Sequence, residues 1–313
     1  MPNRIAARPV APGPSRAVGP APKKPQAKAA TATSSGWRAA ASKLGLTAYG
    51  PLKAPPVLKR PVVMIPGLTM PAASFDPLAK QLTSIKANGA VATYVAADGR
   101  FHLGGKNGPV MRDADVATAK VFQLEYRDAK GPTTDKAPQI AALLREVKRV
   151  TGSKDIDVVS HSAGGTDFRH YLDTRTGADR NVPIHSVVMI GPVSHGTAMG
   201  NIGAVAGGVL KLKEASKQLG IGDPLVKHLD ATWDTQRKQI AKDVTIIAIS
   251  GAPTLGPNGS VKPGDGYVQV EEIDLPKAKT VVLRGADPTP IAHLKEVGYT
   301  GVINEVGAAL GRD

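Results

Sequence analysis

The chain has 313 residues, 42% of them hydrophobic, no cysteine and a formal charge of +14 at pH 7. Without cysteine it can hold no disulfide, thiol nucleophile or thiolate metal site, and it has no apolar run of about 18 residues that would read as a membrane span. Its length is sufficient for one large domain or two small ones with a real core.

The charge is unevenly placed. Residues 1–60 hold eleven Lys and Arg and no Asp or Glu, the first acid being Asp76, while the rest carries 29 basic and 26 acidic side chains. The surplus therefore belongs to the amino-terminal stretch and makes no case for nucleic-acid binding. Residues 1–36 are rich in Pro and Ala with Lys23, Lys24 and Lys28 interleaved, a composition that buries too little apolar area to offset the entropy of ordering. Residues 1–55 are expected to be a disordered basic tail, and 56–313 a single domain. Pro9, Pro12, Pro14 and Pro20 interrupt the stretch where a Sec signal would place its apolar region. No ordinary signal is read there, which leaves a cytoplasmic location or non-classical export open.

From residue 61 strand and helix patterns alternate, the sequence form of a mostly parallel sheet covered by helices on both faces. Val62–Ile65 is an apolar strand stopped by Pro66-Gly67, and 91–96 and 121–126 are further strands. The stretch 137–150 has apolar residues at Ile140, Leu143, Leu144 and Val147, one face of an amphipathic helix. Strands are then read at 156–159, 187–190, 244–249 and 280–283, with a closing helix at 302–310. Between Gly191 and Asp243 the alternation breaks. Gly200, Gly203, Gly207 and Gly208 precede a helical pattern at 209–219, so 198–243 is read as a candidate lid or cap, or as a helical excursion without a gating role. No strand runs directly into these glycines, so they are not read as a nucleotide loop.

The strand at 156–159 runs into Ser160-His161-Ser162-Ala163-Gly164, and a helix can follow. In a G-x-S-x-G type elbow the central serine sits on a strained strand-to-helix turn where a histidine and a substrate carbonyl can reach it. Ser162 is the candidate nucleophile. A serine needs a histidine to take its proton and a carboxylate to orient that histidine, and in this arrangement they follow in the order Ser, Asp or Glu, His. His102 and His161 precede the serine, His170 shares its helix, His185 and His195 flank the next strand, and His228 sits in the interruption. His293 alone follows the last strand and is the candidate base. Asp265, between Gly264 and Gly266 after the strand at 244–249, is the candidate acid; Asp287 is the alternative, with Glu271 and Glu272 behind it. Two backbone N–H groups are needed for the oxyanion. Ala163 follows the nucleophile and Leu68 follows Pro66-Gly67, so these two are the candidate donors.

The segments at 61–67, 157–165, 264–268 and His293 resemble, in their order, the bacterial triacylglycerol lipases and esterases of the α/β-hydrolase superfamily, especially the small secreted Bacillus and Streptomyces enzymes, a resemblance that implies secretion. His161 before the serine is lipase-like, and the stretch 191–197 also resembles a family segment. Pro66 stands where the family usually has histidine, and Ser160 where it has glycine or alanine. The resemblance implies an α/β-hydrolase fold and a serine carboxylic-ester hydrolase acting on ester or lipid substrates, with transient contact at a lipid interface. It implies no cofactor, metal or nucleic acid, and leaves the oligomeric state open. A phospholipase-type effector with the same three residues, or an inert hydrolase-fold binding protein, are the alternatives.

Overall fold

The computed structural model describes residues 52–200, 213–256, 259–284, 289 and 292–312. The 1–51 part of the expected tail, the 201–212 part of the expected lid, and Asp287 lie outside the described residues. Eight strands form one sheet, in the order β10-β7-β6-β5-β1-β4-β2-β3. They are β1 (Val62–Ile65), β2 (Val91–Val95), β3 (Arg100–Leu103), β4 (Val121–Glu125), β5 (Ile156–His161), β6 (Ile184–Ile190), β7 (Val244–Ser250) and β10 (Lys279–Arg284). All pair in parallel except β3, which runs antiparallel along β2. A separate antiparallel hairpin joins β8 (Ala252–Leu255) to β9 (Val261–Gly264).

The sheet buries both faces because successive side chains of a strand point to opposite sides. In β1, Val63 and Ile65 enter one core and Val62 and Met64 the other. The first core is closed by the helices α2 (Thr133–Thr151), through Ile140, Leu143, Leu144 and Val147, and α3 (Ala163–Thr174), through Phe168, Tyr171 and Leu172. The second is closed by α1 (Asp76–Leu82), through Leu78 and Leu82, and α5 (Thr300–Leu310), through Val302, Val306 and Leu310. Within the interruption, α4 (Pro224–Ala231) and the short helix Trp233–Arg237 pack on α3. There the buried Arg169 donates to Asp230 at 3.0 Å and to the Ser194 carbonyl at 2.5 Å. Among the described residues no helix is long and apolar enough to cross a membrane.

The topology positions the site. From β1 the chain moves to β2, β3 and β4 on one side of the sheet, then returns to build β5, β6, β7 and β10 on the other. Crevices form beyond the carboxyl ends of strands at such a switch point. Here it lies between β1 and β5, whose register pairs Ile65 with Ser160 and so brings Gly67 and Ser162 to the same level.

Candidate active site

Ser162 has φ 54° and ψ −131° and caps the start of α3, while its N–H is tied to the Ile190 carbonyl at 2.9 Å. A positive φ at a residue with a side chain stores about 1–3 kcal/mol and persists only where the surroundings impose it. Here glycines on three sides leave room for the turn. A Cβ added at Gly164 would lie 2.5 Å from the Ile65 carbonyl oxygen, one at Gly165 would lie 3.1 Å from Pro192 Cβ, and one at Gly67 would lie 2.9 Å from Ser162 Cβ. Ser160, by contrast, lies within β5 and has no positive φ, so the position did not need glycine; its buried hydroxyl has no partner among the described residues. Gly164→Ala is expected to push the elbow off β1 and to cost about 1–3 kcal/mol, read as a lower denaturation midpoint with an unchanged slope.

Ser162 Oγ lies 2.7 Å from His293 Nε2, and His293 Nδ1 lies 2.8 Å from Asp265 Oδ2. The carboxylate accepts the Nδ1 proton, which leaves Nε2 as an acceptor facing the serine. His293 stands on the short helix Ala292–Lys295, and Asp265 follows β9. The β8–β9 hairpin explains how an aspartate fifteen positions beyond Ser250 comes back to the end of β7. Ala252 pairs with Gly264, and Gly251 N–H donates to the Gly264 carbonyl at 2.9 Å. Asp265 Oδ1 accepts the N–H groups of Tyr267 and Val268, both at 2.8 Å, and the Asp265 carbonyl accepts His293 N–H at 3.0 Å. The Tyr267 ring stacks on His293 with centroids 5.0 Å apart. Leu68 and Ala163 sit on the two turns that meet at Gly67 and Ser162, and neither backbone N–H has a partner among the described residues. Thr69, at φ 63°, donates instead to the Ala129 carbonyl and fixes the bend of the first turn.

A family model for alpha/beta hydrolases of unknown function (DUF915) matches residues 57–273. The chain belongs to this family. Among solved structures, it is similar to the mature form of the lipase BlEst2 from Bacillus licheniformis, with 18% identity, a TM-score of 0.53, and coverage of 83% of this chain and 96% of that one. The lin2722 gene product from Listeria innocua is similar too, with 18% identity, a TM-score of 0.52, and coverage of 79% and 92%. Both likenesses are of fold. The family match ends before His293, so that residue enters the site on its geometry.

In this α/β hydrolase the site extends below the line of Ser162, His293 and Asp265. His161, at the end of β5, is fully buried, and its Nε2 donates to the His293 carbonyl at 3.0 Å. Burial, reinforced by the neighbouring His293, pushes its pKa down to about 3, so the ring is neutral and serves as a buttress. Burial alone would raise the Asp265 carboxyl. The charge and hydrogen bond of His293, the Glu296 carboxyl and the Val268 N–H together outweigh it and hold Asp265 below the usual carboxylate range. Glu296 is also fully buried and is pushed well above that range, by burial first and then by Asp265.

Ligand-type atoms of His161, His293 and Glu296 lie within 4.8 Å of one another, the one such set among the described residues. The ring nitrogens nearest Glu296, His161 Nε2 at 3.4 Å and His293 Nδ1 at 3.7 Å, both carry protons that they donate elsewhere. The stretch after β6 steadies the aspartate loop: Thr197 Oγ1 donates to the Tyr267 carbonyl at 2.5 Å, and Ser194 Oγ donates to the Ile273 carbonyl at 2.9 Å. His195 bridges Asp230, at 2.9 Å, and the Asp274 carbonyl, at 2.6 Å. Glu271 and Glu272 lie on the 3-10 turn Val270–Glu272 and make no contact with His293 among the described residues.

Proposed function

We propose that this hydrolase is a serine carboxylic-ester hydrolase of the lipase or esterase type. The observation that carries the reading is the 2.7 Å contact from His293 Nε2 to the hydroxyl of a serine held at φ 54°. Ser162 Oγ attacks the ester carbonyl as His293 takes its proton, and Asp265 holds the resulting imidazolium. The oxyanion of the tetrahedral intermediate accepts hydrogen bonds from Leu68 and Ala163 N–H, each worth about 3 kcal/mol to such a transition state. His293 then returns its proton to the departing alcohol, leaving an acyl group on Ser162. Water, deprotonated by the same nitrogen, releases the acid.

The reading predicts turnover of p-nitrophenyl esters across a graded series of acyl lengths. It also predicts covalent labelling by a fluorophosphonate probe, with the mass increment on the peptide that carries Ser162. Absence of both turnover and labelling in folded protein would support the inert binding protein instead.

A further inference from the structure

Glutamate is almost never fully buried unless it is paired. Glu296 is 0% exposed, yet neither of its carboxyl oxygens has a hydrogen-bond donor among the described residues. The nearest candidates are already engaged. His161 Nε2, 3.4 Å from Oε2, donates to the His293 carbonyl, and His293 Nδ1, 3.7 Å away, donates to Asp265. The slot is nonetheless shaped for this side chain. Gly191, at φ 48° after β6, is the residue whose Cβ would collide with Glu296 Oε2. Three positions from His293, across one short turn, Glu296 is brought to the same side as the histidine, its Oε2 3.7 Å from the Nδ1 that Asp265 Oδ2 holds at 2.8 Å. Two ionised carboxylates cannot share a dry site beside one histidine nitrogen, whereas one neutral carboxyl and one carboxylate can share a proton.

We infer that Glu296 is a positioning residue: its neutral carboxyl donates a hydrogen bond to Asp265 and keeps that side chain an ionised acceptor aimed at His293. The inference rests on the proposed hydrolase mechanism for its catalytic meaning, but not for the protonation state itself. Burial and Asp265 both favour the neutral form of Glu296. The titratable groups that face it are Asp265 from the β9 loop, His161 from β5 and His293 from its own segment. Of the helices packed on its turn, α1 carries Asp76 and Lys80 and α5 carries Glu305.

Two measurements test this. The first is the thermal midpoint of wild type and Glu296→Gln as a function of pH, which needs no substrate. A carboxyl neutral in the folded state and ionised in the unfolded chain gives stability that is complete below the unfolded pKa and is lost as pH rises toward the folded one. The Gln variant has no such loss, so its midpoint should gain on wild type steadily from about pH 4.5 upward. A gap that is constant, or that turns against Gln with rising pH, would overturn the neutral carboxyl.

The second measurement compares kcat for ester hydrolysis in Glu296→Gln and Glu296→Leu. Gln offers a neutral donor of the same shape, and Leu offers none. Gln should keep the larger part of kcat, with Leu at least tenfold below it at similar KM; equal values for the two variants, or a loss in Gln as deep as in Leu, would overturn the positioning role. Should Leu not fold, the Gln variant alone decides, because an anionic role predicts that it loses activity. If no ester is turned over by wild type, the functional reading fails while the first measurement still decides the state of Glu296.

Discussion

Ser162→Ala is expected to lower kcat for every ester this hydrolase turns over by about 10⁴- to 10⁶-fold, with KM close to wild type. In the proposed mechanism the substitution removes the one atom that bonds to the acyl carbon, and it leaves the frame around it. The Cβ that packs against Gly67 is retained, and so is the 2.9 Å tie from residue 162 N–H to the Ile190 carbonyl. The lost hydrogen bond to His293 costs about 1 kcal/mol, so the fold should survive. The matched control is Ser160→Ala, two residues earlier in the chain. Its hydroxyl is buried without a partner among the described residues and faces Gly165, not the base. Steady-state kinetics on both variants, with thermal midpoints, separates loss of a nucleophile from loss of the elbow. Activity of Ser162→Ala within tenfold of wild type would remove Ser162 from the mechanism.

Much of this frame is legible in the amino-acid sequence, and the parts that are not share a cause. The strands β1, β2, β4, β5, β7 and β10 are β-branched, apolar and bounded by turn formers, and each lies within two residues of its sequence reading. β6 begins at Ile184, three residues before the run at 187–190, because its first turn toward the core is polar. His185 and Ser186 both reach Asp157 Oδ1, at 3.1 and 2.7 Å, so their burial is satisfied without an apolar signal. β3 is four residues long with exposed ends on an antiparallel edge, too little to show a period. The β8–β9 hairpin contains Pro253 and Pro263 facing each other. Proline normally demotes a strand, and it is tolerated here because the pair stands apart from the main sheet.

The same division runs through the site. The order Ser162, Asp265, His293 follows from where strands end, and Leu68 and Ala163 follow from the two turns that must meet there. What carries no sequence signal is the layer beneath. A glutamate three residues after His293 looks like any exposed turn residue until Gly191, two strand-ends away, leaves a space for it. His161 reads as a motif position, but its work as a neutral donor to the His293 carbonyl depends on complete burial, which only packing can produce. That layer holds His293 rigidly. The imidazole is held at its ring by Asp265, at its backbone by Asp265 and His161, and on its face by Tyr267.

Asp265→Asn tests whether that rigidity includes the choice of tautomer. Asp265 Oδ1 already accepts two backbone N–H groups at 2.8 Å, and an asparagine oxygen would be kept there by the same donors. Its NH2 group would then face His293 Nδ1, which must become an acceptor and carry its proton on Nε2 instead. A protonated Nε2 cannot accept the hydroxyl proton of Ser162. The expected loss in kcat is on the order of 10⁴-fold, the size seen for the equivalent change in serine proteases.

Stability should also change, in a way that pH reveals. Because the Asp265 carboxyl is held below its usual range, its contribution is present above the unfolded carboxylate value of about 3.9 and is lost as pH falls through the lower folded value. Asn makes no such contribution, so the gap between the two proteins should be full at pH 7 and close below about pH 4. Fluorophosphonate labelling of Ser162 needs the same proton transfer and should slow by a similar factor. A variant that keeps kcat within tenfold of wild type would show that Asp265 is not the group that sets the His293 tautomer. A variant that loses turnover but labels at the wild-type rate would place the damage after Ser162 has reacted, in the step where water must be deprotonated.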